Sequence, residues 1–175
     1  MDLTRYLDLR SAIKTGDLLG VCGRGPVSWA IKLRTRSIFS HVGLLVRLSE
    51  VGVERVFLLH STAKTGVVLV PVSRYLGTVQ GQAYLIPLRH AEIATTKPVY
   101  QEYLLSYAFQ QLGRSYDFQG ILRFLVPFFP EAKAEFFCSE LAAGAYKAAG
   151  LLDRTFLDPG TLIKTGLFQE PVSMT

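Results

Sequence analysis

The sequence predicts an α+β domain in which an antiparallel sheet packs against helices. Three observations carry that expectation. Short apolar runs with strand character crowd the first half, the connections between them are too short for crossover helices, and helical spacing takes over in the second half. Strands followed by helices, rather than alternating with them, define this class. At 175 residues the chain suits a single domain over 1–175, large enough to bury a continuous core. No internal repeat or low-complexity tract divides it.

The elements follow in order. Residues 14–22 read as a turn and a short apolar strand. Pro26 can open a helix over 27–33, with Trp29, Ile31 and Leu33 among its apolar residues. Strands are expected over 40–48, 55–61, 67–72 and 83–88, and their short links predict an antiparallel meander. Pro98 starts and Gly113 stops a helix whose Tyr100, Tyr103, Leu104, Tyr107, Ala108 and Leu112 form one apolar stripe. A last helix is predicted over 138–149, with Gly150 as its left-handed exit.

Composition excludes several classes. Hydrophobic residues are 49% and charged residues 19% of the chain, which fits a folded protein and not disorder. The two cysteines, Cys22 and Cys138, lie far apart, so neither a disulfide framework nor a structural zinc site is supported, and no cofactor is expected. No signal peptide or spanning segment is read from the chain, which predicts a cytoplasmic protein, although a phage or virion origin leaves the same signature. The formal charge is +5, with Arg24, Lys32, Arg34 and Arg36 close together. Such a cluster can be a solvated helix face, or can meet an anionic membrane or a cell-wall polymer. No nucleic-acid module accompanies it, and no nucleic-acid partner is expected.

Cys138 falls at the predicted start of the last helix. Unpaired backbone N–H groups and the helix dipole there stabilise a thiolate, and the same donors can hold an oxyanion. The alternative is a buried structural cysteine. Cys22 ends an apolar strand and is assigned to the core. His41 opens a strand in which His41, Gly43, Leu45 and Arg47 share one face. A hairpin that sets Arg47 opposite Glu54 also sets His41 opposite His60, joining two of the three histidines. The second imidazole can then fix the tautomer and orientation of the first, as the third member of a triad does. Tyr116 follows the long helix and offers a phenol to an oxyanion or substrate carbonyl, or simply packs. His90 reads as loop and carries no role.

These residues occur in one order: Gly16-Asp17, Pro26-Val27-Ser28-Trp29, Ser40-His41-Val42-Gly43, the strand ending at His60, Gly66-Val67, Gly113-Arg114-Ser115-Tyr116-Asp117 and Phe137-Cys138-Ser139-Glu140. The ordered set resembles the YiiX/YaeF-like group of the NlpC-type superfamily of papain-like amidases. The resemblance implies a circularly permuted papain-like fold, in which the histidine precedes the cysteine. It also implies Cys138 as nucleophile, His41 as base and Tyr116 near the oxyanion. Relatives carry a glutamate where this chain has His60-Ser61, so His60 is the expected third residue and Ser61 its substitute.

The expected function is a thiol hydrolase or acyltransferase that cleaves an amide or ester through a cysteinyl acyl-enzyme. Its substrate would be a small molecule, a lipid or a peptide. The apolar stretch 118–130 enters the nucleophile from one side and can line a hydrophobic acyl pocket, or complete the core as a buried helix. Two alternatives stand beside it: a cell-wall peptide amidase or endopeptidase, and a non-catalytic binding module with the same fold. A reactive catalytic thiol is expected to label with iodoacetamide below neutral pH at Cys138 and not at Cys22.

Overall fold

Alternating apolar residues in the first half build one sheet with two covered faces. The computed structural model describes residues 3–49, 54–62, 64–115, 138–155 and 157–175. Tyr116 and the stretch 118–130 lie outside them. The described elements are α1 (Thr4–Leu9), β1 (Leu18–Gly23), α2 (Pro26–Thr35), β2 (His41–Leu48), β3 (Arg55–Thr62), β4 (Gly66–Pro71), α3 (Val72–Thr78) and β5 (Gly81–Ile86). They continue with α4 (His90–Thr96), α5 (Tyr100–Gln110), α6 (Cys138–Ala148), α7 (Pro159–Ile163) and β6 (Val172–Ser173).

The sheet order is β4-β3-β2-β1-β5-β6, with every described pairing antiparallel. The meander expected for the four later strands therefore holds only through β4. Helix α3 then turns the chain back, and β5 pairs along the other edge of β1. Val72 and Leu76 of α3 are fully buried against one sheet face, and that burial anchors the return.

On this face Leu19, Val21, Leu45, Val56, Leu58, Ala83 and Leu85 pack with Tyr6 and Ile13. On the other, Leu18, Val42, Leu44, Leu59, Val67 and Ile86 meet Leu104 and Ala108 of α5 and Leu141, Ala142 and Ala145 of α6. Small residues let α6 come close. Gly144 in particular abuts Tyr107 of α5, and a Cβ there would overlap the phenol. The α5 stripe is narrower than its spacing implies: Tyr100, Leu104 and Ala108 are buried, while Tyr103 is 59% exposed.

His90 opens a helix rather than lying in a loop. Its Nε2 lies 2.7 Å from Asp17 Oδ1, and its Nδ1 meets the Tyr100 hydroxyl. The buried Asp17 carboxylate also accepts from the backbone N–H of Leu88 at 2.8 Å and of Lys14 at 2.7 Å. Tyr146 of α6 donates to the Gly16 carbonyl at 2.7 Å. These polar ties lock the lead of β1 to α4, α5 and α6.

Candidate active site

The β2–β3 register puts His60 beside His41, by a different pairing from the expected one. Leu45 pairs with Leu58 and Arg47 with Val56, so the strands are slipped by two residues relative to an Arg47–Glu54 pairing. A two-residue slip keeps every side chain on its face. Both contacts that motivated the hairpin survive: Arg47 Nη1 lies 3.2 Å from Glu54 Oε2, and His41 Nε2 lies 3.2 Å from His60 Nδ1. The rings meet edge to face, 5.3 Å apart. Gly43 makes room for this, since a Cβ there would stand 3.0 Å from His60 Cβ.

The β2–β3 ladder begins only at Leu44↔Leu59. Ahead of that point, on β2, the backbone N–H of Val42, like those of Ser139 and Cys138 itself, favours the ionised form of the Cys138 sulfur. The thiol thus arrives from α6 in the core cluster that also holds Val42, the residue that follows His41, whose ring belongs to the other face. His41 Nε2 is engaged with His60, which leaves Nδ1 as the other ring nitrogen; among the described residues no hydrogen bond joins either imidazole to the Cys138 sulfur.

Burial governs the electrostatics. It pushes the Cys138 thiol up to about 11, outweighing the backbone donors that pull it down. It drives His41 down to about 3, with the charge of His60 as the second cause, and His60 down to about 4. The resting pair is therefore a neutral thiol and a neutral imidazole. That reverses the expectation of a thiolate poised below neutral pH: the helix start supplies donors, yet desolvation wins. Cys22 is also placed differently from expectation. It is half-buried rather than core, with Lys32 Nζ 3.8 Å from its sulfur.

One neighbour escaped the sequence reading. Tyr75 of α3 packs edge to face on His60 with ring centroids 4.9 Å apart, and its phenol is raised by burial and next by the charge of Cys138. Only the helical spacing of Val72, Tyr75 and Leu76 after Pro71 could have signalled it. Ser61, the substitute third residue, is 1% exposed and its hydroxyl has no hydrogen-bond partner among the described residues; as the neighbour of His60 on a strand it points to the opposite face. Among the described residues no three His, Cys, Asp or Glu side chains converge to hold a metal ion.

A family model described as permuted papain-like amidase enzyme, YaeF/YiiX, C92 family, matches residues 12–164. The crystal structure of metalloprotein yiiX from Escherichia coli O157:H7 superposes with a TM-score of 0.57 and 23% identity, over 78% of this chain and 66% of that one. That is a likeness of fold, and the chain spans just under two thirds of that relative's length. No curated protein matches the chain.

Proposed function

The chain belongs to the permuted papain-like amidase family YaeF/YiiX, C92, and from that premise we propose that it is a thiol hydrolase or acyltransferase acting through Cys138. The observation that carries the reading is the His41–His60 imidazole pair, held at 3.2 Å next in sequence to Val42, whose backbone N–H favours the Cys138 thiolate.

In this reading His41 Nε2–H donates to His60 Nδ1, which leaves His41 Nδ1 unprotonated. As the sulfur attacks a substrate carbonyl, the S–C bond forms and the thiol proton passes to Nδ1. Transfer accompanies attack, because neither group is charged beforehand. The N–H groups of Cys138 and Ser139 then serve the oxyanion. The leaving amine or alcohol takes the proton from His41, and water or an amine resolves the acyl-enzyme. Tyr116 is proposed as a further donor to the oxyanion, on the family resemblance alone.

The substrate is proposed to carry a hydrophobic acyl group, as a lipid amide or ester, received by the apolar stretch 118–130. Cell-wall peptide amides are the competing substrates. A panel of fluorogenic esters of graded chain length, run beside muropeptides, separates them: a flat chain-length response counts against an acyl pocket. Cys138→Ala is expected to abolish turnover while the protein stays folded, and undiminished turnover by that variant refutes the assignment. The upward shift of the thiol and the downward shift of His41 favour one second reading, a binding module that keeps the fold. Wild-type protein that turns over none of the panel would support it.

A further inference from the structure

Helix α2 is built inside out. Its inner side is largely polar, with the half-buried Ile31 among the polar residues: Ser28 packs on Gly23, where an added Cβ would come within 2.5 Å of the serine hydroxyl, and Lys32 donates to the Gly23 carbonyl at 2.9 Å. Its outer side carries Trp29 and Leu33, four residues apart and so stacked on one face, 64% and 63% exposed. Val27 and Ile38 flank them, each more than half exposed, and no residue of the helix is buried. A helix of a water-bathed fold ordinarily turns its large apolar side chains inward, and an exposed cluster of them marks a contact surface.

The sequence around this cluster carries charge of one sign. No Asp or Glu occurs between Asp17 and Glu50 in the sequence, while Arg24, Arg34 and Arg36 are all exposed. The nearest acid shown is Asp158, which caps α7 where Gly160 packs on Ser37 and is held by Thr161, at 2.9 Å to the backbone N–H and 2.6 Å to the hydroxyl. The surface is the flank of one helix, with an indole close in sequence to guanidinium groups. An indole prefers the headgroup level of a bilayer, and arginines satisfy a fluid field of phosphates without needing a fixed partner geometry.

We propose that α2 and the turn through Ile38 dock on an anionic phospholipid bilayer, with Trp29 and Leu33 inserted among the headgroups. The surface does not rest on the chemistry of Cys138. Among the described residues no helix is long and apolar enough to cross a membrane; the proposed contact is a peripheral one. Since α2 leads directly into β2, the bilayer would lie at the end of the sheet where His41 stands.

Trp29 is the only tryptophan in the chain, so its emission reports on this surface alone. The full-length protein is mixed with phosphatidylcholine vesicles, with or without phosphatidylglycerol. With phosphatidylglycerol, the emission is expected to shift to the blue and acrylamide quenching to fall, and added salt should reverse both. In co-sedimentation, Arg24→Gln and Arg36→Gln should each weaken binding about fivefold. The double variant Trp29→Ser, Leu33→Ser should abolish it, with circular dichroism unchanged because neither side chain is packed. Two results overturn the proposal: no dependence on phosphatidylglycerol, or a Trp29 already shielded from acrylamide in vesicle-free, dilute protein, which would mean that its own chain or a second copy covers it.

Discussion

Replacing Gly43 by alanine tests whether β2 and β3 approach as closely as the imidazole pair requires. The new methyl would stand 2.5 Å from Leu58 Cδ1 and 3.0 Å from both His60 Cβ and the Leu59 carbonyl oxygen. Leu58 is fully buried and cannot swing clear without disturbing its neighbours, and the other two atoms are fixed to the backbone of β3. Overpacking of this kind costs about 1–3 kcal/mol. The stiffer unfolded chain offsets about 0.4–1 kcal/mol of that. A net loss of about 1–2 kcal/mol lowers Tm by about 2–8 °C for a chain of this size. Gly77 is the control: it lies in α3 with nothing near its would-be Cβ, so Gly77→Ala should gain about 0.5–1 kcal/mol from helix propensity. Thermal denaturation of the two variants side by side decides. A Gly43→Ala protein as stable as wild type would mean that the strands are further apart there, and the 3.2 Å imidazole contact would lose its structural basis.

Three further outcomes are expected. His60 is 4% exposed and held at about 4, below its ordinary 6.5, so between those values the unfolded chain binds a proton that the folded chain refuses. Stability therefore falls as pH drops from 6.5 towards 4, by about 3 kcal/mol from this residue alone; urea titrations of wild type and His60→Gln at pH 7 and pH 4 should differ by that amount, and parallel curves would contradict it. Iodoacetamide with mass-spectrometric readout should modify Cys22 before Cys138 at neutral pH, and the Cys138 rate should climb towards pH 11, where its thiol ionises; rapid labelling of Cys138 at pH 6 would overturn the neutral resting pair. Glu54 is 71% exposed and Arg47 only 16%, and Arg47 also donates to the carbonyls of Ile13 and Arg10. Glu54→Ala should cost no more than about 0.5 kcal/mol and Arg47→Ala about 2 kcal/mol by chemical denaturation.

What the sequence made legible was local. Apolar alternation from His41 to Leu48 and from Arg55 to Thr62 fixes which residues share a face, and a period of two is blind to a slip of two. The strands could therefore be paired two residues off while the histidines still met. Long side chains bridge such a slip, which is why Arg47 reaches Glu54 although its ladder partner is Val56. What escaped were partners remote in the chain. His90 had no visible role because its hydrogen-bond acceptor, Asp17, lies 73 residues away. The strand order escaped for the same reason: nothing in the spacing of β4 and β5 tells that α3 will carry the chain back across the sheet. The charge state of Cys138 was not legible because a helix start announces donors, whereas desolvation depends on everything packed around the sulfur. The inverted helix α2 was half visible, as a basic cluster interleaved with Trp29, Ile31 and Leu33, but only exposure tells which side those residues take.

Gly144 makes the seat of α6 adjustable. It lies two turns along the helix from Cys138, and its missing side chain is what allows Tyr107 to press against the helix. Any bulk introduced there would meet the ring end of the half-buried Tyr107, so either that side chain turns aside or the helix shifts and carries the sulfur with it. The reach of the thiol is in this sense set by a spacer remote from it, and variation at that one position offers evolution or an engineer a way to detune the cysteine without touching it or either imidazole.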